Sequence, residues 1–303
     1  MDDDPGILRH IIWSSTEQAV QTAQKNITRV RANQAVKVAE GRVSADFSIE
    51  APVVYLGPIA TLNADLAAWK PVLTKLSTVL ADEPLIIHHA FTINAEASTE
   101  WIVTSEGTRI RQPRHRLRVS VTGSVTADDG MDLRLYRWRD VVRSDQLPAE
   151  DELESWVRGL RTDVLALRRS PRGAPWSGPA LLRGRAAGVF VHEVIGHRVE
   201  GQTFRDLVGR RVTNPHISIV DDPSLGTYAG HDLNGHYAYV QQGVPARKAT
   251  VIEDGVLRGF LFSRDPIEGF NQSNGHGRAA TRLDPVARMA NTIVTTDDPR
   301  TQA

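Results

Sequence analysis

Two histidines five residues apart, in His192-Glu193-Val194-Ile195-Gly196-His197, set the tightest condition on how this chain folds. They follow the apolar run Ala186-Ala187-Gly188-Val189-Phe190-Val191, which reads as a helix apolar on every side and so as an interior one. On a regular α-helix five residues turn roughly 500°, which leaves the imidazoles about 140° apart and unable to share a metal ion. A four-residue spacing would put both on one face. The run therefore predicts a local π-bulge, with Gly196 supplying backbone freedom, that returns His192 and His197 to a common side. Either histidine alone reads as a satisfied core residue; the pair, with Glu193 beside the first, reads as a metal site.

The 303 residues, 41% of them hydrophobic, suffice for a packed core around such a helix. Lys+Arg and Asp+Glu are equal at 36 each, so no overall field draws the chain to nucleic acid or to an anionic membrane. Absence of cysteine removes disulfides, thiolate catalysis and cysteine-ligated zinc from any account of this chain alone. No apolar segment reaches 18 residues, and the acidic start MDDDP does not read as a secretory signal, so the expectation is a soluble, cytoplasmic protein without membrane contact. The abrupt acidic start also suits an internal segment of something longer.

Apolar spacing predicts a long surface helix over residues 8–40, a short strand at Val53–Leu56 and a second helix around Ala64–Ala81, with Pro71 either kinking it or marking its start. Turn signals then divide Leu85–Tyr136 into strands at Leu85–Ile93, Glu100–Thr104, His115–Thr122 and Met131–Trp138, an antiparallel sheet. Residues 149–169 form the clearest amphipathic helix, acidic at its start and basic at its end, as the helix dipole favours. The Ser170–Pro179 stretch has a linker's composition. It suggests a two-part architecture: residues 1–170 as an N-terminal helical and β region, and 180–303 as a β-rich domain carrying the metal helix. Asp254-Gly255 between apolar runs predicts a hairpin. The fold class is α+β, antiparallel sheets with a buried, kinked, metal-binding helix.

Several segments together resemble the TldD/PmbA peptidases. They are Ser177-Gly178-Pro179-Ala180-Leu181-Leu182, the run from His192 to Gly201, Val220-Asp221-Asp222-Pro223, Gly243-Val244-Pro245-Ala246, Gly275-His276-Gly277-Arg278 and Pro285-Val286-Ala287-Arg288-Met289-Ala290-Asn291. The resemblance covers about residues 100–295. It implies that His192 and His197 bind Zn2+, that Glu193 is the general base acting on a metal-bound water, and that the substrate is an unfolded or leader peptide held in extended form. In the family a cysteine further along completes the site; this chain has none, and it is expected to lack the family's C-terminal part and to show little peptidase activity alone. Pairing in the family implies a homodimer or a heterodimer with a related subunit. A non-catalytic subunit that binds peptides or a partner, or an inactive truncated homologue, is the alternative.

Glu200, three residues after His197, is a candidate for a hydrogen bond to that imidazole, for a substitute ligand, or for a surface ion pair with Arg198 or Arg205. His231, His236 and His276 sit in Gly/Asn-rich turns and read as turn residues. The Asn271–Arg278 run looks too polar for a core; Asn274, His276 and Arg278 are candidates to line a substrate cleft, with a solvated loop the competing reading. The basic run Arg109–Arg118 lacks interleaved aromatics and reads as a solvated sheet face, so nucleic-acid binding is not expected, whatever the family's label as a gyrase modulator suggests.

Overall fold

The computed structural model describes residues 4–36, 47–201, 204–267, 269–280 and 283–298. The chain divides into two compact units, Met1–Ser44 and Ala45–Ala303. In the first, α1 (Pro5–Val36) is the expected surface helix, exposed along its described side chains, with Ile12 and Trp13 among them. Its expected extension to residue 40 lies outside the described residues.

The second unit begins with β1 (Val54–Leu56) and α2 (Leu66–Ala81). Asp65 starts α2 by accepting from the amides of Ala67 and Ala68, so Pro71 falls inside the helix and does not mark its start. Three long strands follow, β2 (His88–Val103), β3 (Arg109–Thr126) and β4 (Asp132–Val141). β2 runs antiparallel to β3 along its whole length. The other side of β3 is shared by β1, in parallel at Arg109–Arg111, and β4, antiparallel at Leu117–Thr126. The polar stretch around Asn94–Ser98, expected to break the sheet, is instead continuous strand, because each residue has a backbone partner on β3 from Arg118 to Arg114.

Helix α3 (Glu150–Arg168) covers one face of this sheet. Its stripe of Leu153, Val157, Leu160 and Val164 is fully buried against Leu76 and Leu80 of α2 and Val119, Val121 and Val125 of β3. Burial of each such side chain contributes about 1.5–3 kcal/mol. Two arginines of the basic run are held along the sheet. Arg118 donates to both carboxylate oxygens of Asp140 at 2.6 Å, and Arg111 donates to Gly57 O while lying over the Trp101 ring.

Beyond the extended Ser170–Pro179 stretch come the helical segments α4 (Arg185–Val191) and α5 (His197–Val199), and then a second sheet. Strands β5 (Ile217–Asp221), β8 (Ala249–Glu253), β9 (Val256–Leu257) and β12 (Thr292–Thr296) lie in the order β12-β5-β8-β9, all antiparallel. The pairs β6 (Thr227–Tyr228) with β7 (His231–Asp232), and β10 (Gly277–Arg278) with β11 (Val286–Ala287), form small ladders beside it. Asp254 and Gly255 make the predicted hairpin, both at positive φ, where Gly255 has no steric penalty. Ile219, Val251, Ile252, Leu257, Phe260 and Leu261 form a second hydrophobic cluster.

Two polar links join the sheets within this unit. The Gln112 amide pairs with the Tyr239 backbone as a strand would, donating to its carbonyl at 2.9 Å and accepting from its amide at 3.1 Å. The Arg264 guanidinium, 3% exposed, donates to both Glu106 oxygens at 2.6 Å and to Ser48 O. The Glu106 carboxyl is held below its ordinary range by that guanidinium.

Candidate metal centre

α4 runs without interruption into a π turn, His192–Gly196, and then into α5. The extra residue in that turn does what the five-residue spacing demanded. His192 and His197 lie edge to face with ring centroids 4.5 Å apart, and one ligand atom from each of His192, Glu193 and His197 falls within 4.8 Å of the others. Gly196 serves the turn differently from the expectation. Its backbone is ordinary right-handed helix, φ −53°, ψ −57°, and what needs glycine is contact: a β-carbon there would be driven into the Met289 side chain.

The expectation of a buried helix is corrected. Between Arg185 and Glu200 only Gly196 and Val199 are buried; His192, Glu193 and His197 are exposed, and Val189 and Phe190 are 59% and 52% exposed. An all-round apolar helix needs neighbours on every side to be interior, and here packing reaches it on one. Ile195, Val199 and Met289 face the second cluster. Along the opposite flank a hollow of about 580 Å3 separates α4 from β12, lined by Ala187, Gly188, Val191, His192, Met289 and Val294 among others. β12 is an edge strand of its sheet.

Glu200 acts on His197 from behind. Its side chain is 9% exposed; Oε2 accepts from His197 Nδ1 at 2.8 Å and lies 3.5 Å from the Arg288 guanidinium, and Oε1 accepts from the Met289 amide at 2.7 Å. A carboxylate can only accept, so Nδ1 carries the proton and Nε2 is left with its lone pair for an ion. Glu200 thereby fixes the ring and is turned away from the ligand position.

The Asn271–Arg278 run divides. His276 is completely buried, which corrects both the view that this run is too polar for a core and the candidacy of His276 for the cleft. Its Nε2 faces Asp221 Oδ1 at 3.2 Å, and its Nδ1 faces Asn274 Oδ1 at 2.9 Å. Asn274 is spent on structure as well, accepting from the Phe262 amide and donating to Phe260 O. Asp221, itself 0% exposed, also accepts from the amides of Ala290 and Asn291 and from the Thr292 hydroxyl, so it anchors the strap that carries Met289. Arg278 alone of the three lines an open cavity. His236 keeps a turn role, its Nδ1 bonded to Pro223 O, and His231 lies on β7. Sequence reasoning gave no role to Asp221 or Met289. Their signal was position: both lie in segments that carried the family resemblance.

The donor set suits zinc. Imidazole nitrogen and carboxylate oxygen are its ordinary ligands at about 2.0–2.2 Å, which places ligand atoms around a tetrahedral ion roughly 3.3–3.6 Å apart. The two imidazoles lie within 4.8 Å of each other with the Glu193 carboxylate beside them, and the Glu200 bond meets the usual need for a partner behind a ligating histidine. Among the described residues this is the sole cluster of three potential metal-binding side chains.

Residues 177–303 match the family model of the PmbA/TldA metallopeptidase C-terminal domain. A metalloprotease of Methanocaldococcus jannaschii is 32% identical over 155 residues, which are 48% of this chain and 32% of that one. A metalloprotease of Haemophilus influenzae described as a TldD homolog is 30% identical over 125 residues, 38% of this chain and 25% of that one. The chain thus spans about a third or less of the length of these curated relatives. A Thermotoga maritima crystal structure, described as a modulator of a DNA gyrase, shares the fold with a TM-score of 0.62 at 16% identity, over 84% of this chain and 58% of that one. Residues 177–303, which carry the paired histidines on their π turn, are thus similar to the C-terminal domain of the PmbA/TldA metallopeptidases.

Proposed function

We propose that this chain carries the catalytic helix of a zinc-dependent peptidase acting on unfolded or leader peptides in the cytoplasm. The observation that supports it most is the convergence of His192, Glu193 and His197 within 4.8 Å on a π turn, with Glu200 locked behind His197. His192 and His197 are the ligands. Zinc, when bound, supplies Lewis-acid polarisation of the scissile carbonyl and acidifies water. Glu193 takes the proton from the attacking water as its oxygen bonds to the carbonyl carbon, and returns it to the amine nitrogen as the C–N bond breaks. The edge of β12, which pairs only with β5 among the described residues and is separated from His192 by an apolar hollow, suits an extended peptide added as a further strand.

The exposed apolar side chains of α4, Val189 and Phe190, support a second element of this reading: a homodimeric copy or a related subunit covers the helix. With two histidines in hand, the third ligand comes from outside the described cluster. A non-catalytic peptide-binding role is the rival, and one substitution separates the two. Glu193→Gln keeps shape and hydrogen-bonding reach but cannot accept the proton. In the complete assembly it should retain zinc and lose about 10²–10⁴-fold in chelator-sensitive hydrolysis of unstructured peptides. Undiminished turnover would remove Glu193 from the base's role.

A further inference from the structure

We infer that the cavity beside the Met289 strap is a subsite for a carboxylate of an extended peptide, held by Arg278, Arg288 and Arg114; this rests on the peptidase reading above. The cavity has a volume of about 600 Å3, within the usual range for small-ligand pockets. Its described lining carries those three arginines against one glutamate, Glu100. Glu100 is already engaged, accepting from the Gln112 amide at 2.7 Å in the link between the sheets. Positive charge therefore prevails on the wall.

Two of the arginines have capacity to spare. The Nε of Arg278 is buried with no hydrogen-bond partner among the described residues, so the protein engages this guanidinium by a hydrogen bond to Met289 O alone. Its guanidinium is held in place: one end donates to Met289 O, and the plane lies 5.2 Å from the Tyr237 ring, whose hydroxyl donates to Gly275 O. A guanidinium fixed in this way loses little freedom when its remaining N–H groups take a carboxylate. The Arg114 side chain makes no ion pair or hydrogen bond among the described residues, while its backbone pairs with Ser98 on β2. Tyr55 and Tyr239, with ring centroids 5.0 Å apart, add an apolar wall for the rest of the peptide. The glutamate in the same wall favours a monoanion over a phosphate dianion.

The cavity is also wired to the candidate metal centre. Arg278 grips Met289 by its carbonyl, Glu200 grips the same residue by its amide, and Glu200 holds His197. Arg288 lines the cavity and also touches Glu200.

The test is direct binding, by calorimetry, to the full 303-residue chain in a chelator-containing buffer, so that zinc and turnover play no part. The probes are an acetylated tetra-alanine peptide with a free C-terminus, its C-terminal amide, and that amide with one alanine replaced by aspartate. A peptide carrying either carboxylate should bind at least about tenfold tighter than the neutral amide, as expected for hydrogen bonds between charged groups. The free acid against the aspartyl amide tells which carboxylate is read. Arg278→Met and, independently of the strap, Arg114→Gln should abolish that preference without changing the neutral amide's affinity, and a thermal melt checks that each variant is folded. Because the chelator removes zinc from every sample, failure of the metal reading leaves these affinities as they are, and the two readings fail separately. Equal affinity for all three peptides overturns the proposal, as does tighter binding of inorganic phosphate than of any of them.

Discussion

Replacing Glu200 by Gln separates shape from hydrogen-bond polarity at the one group that couples the metal helix to the strap. In the native arrangement both carboxylate oxygens accept, one from His197 Nδ1 at 2.8 Å and one from the Met289 amide at 2.7 Å. A glutamine has one acceptor and one donor, so whichever way its amide turns it sets an NH2 group against another N–H. The side chain is 9% exposed, so water replaces the lost partner poorly. Loss of one hydrogen bond to a buried charged acceptor costs about 1.5–3 kcal/mol. If the amide turns its NH2 to His197, the ring loses the partner that fixes its tautomer, and zinc affinity should fall about 10–100-fold. If it turns the other way, the strap loosens and urea unfolding of the metal-free protein shifts by that free energy. Competition titration against a chromophoric chelator, run beside urea unfolding, reads both. Glu200→Gln with native zinc affinity and native stability refutes the assignment of Glu200 as the group that positions His197.

Gly235→Ala should destabilise the chain by about 1–3 kcal/mol, because its methyl group and the Ala290 carbonyl on the strap need the same space; unfolding followed by tryptophan fluorescence measures this, and Gly235→Ala with unchanged stability would remove that close approach. Asp140 supplies the pH test. Burial works against its charge, but hydrogen bonds from Arg118 and Asn234, with Arg116 nearby, outweigh it and hold its carboxyl below the ordinary range. Its contribution is therefore fully present above the unfolded-state value of about 3.9 and is lost as pH falls through the lower folded-state value. Asp140→Asn should cost about 1.5–3 kcal/mol at neutral pH and progressively less as the solution is acidified below the ordinary carboxylate range, measured as the gap between the two unfolding curves.

Local signals made α3 and the Asp254-Gly255 hairpin legible in the sequence: a stripe at three- and four-residue steps, charges matched to the helix dipole, and two turn residues suited to positive φ. The π turn was legible because two histidines five residues apart share one side of a helix only where its backbone takes in an extra residue. What failed depends on distant partners. The exposure of α4 follows from which elements pack against it, and residues 186–191 are equally apolar whether covered or bare. His276 stands among glycines and asparagines, as surface turns do, yet it is buried because Asp221, 55 positions earlier, faces its ring. The continuity of β2 through Asn94–Ser98 is likewise imposed by β3, whose matching backbone outweighs the polar side chains.

The central claim is that His192 and His197 are ligands of one ion. Zinc analysis after dialysis, combined with zinc-edge X-ray absorption on the 303-residue chain and its His192→Ala and His197→Ala variants, addresses it most directly. The account predicts one zinc per chain with two imidazoles in its absorption spectrum, and loss of that zinc in either variant. Equal zinc in all three proteins, or a spectrum with no imidazole, would contradict it.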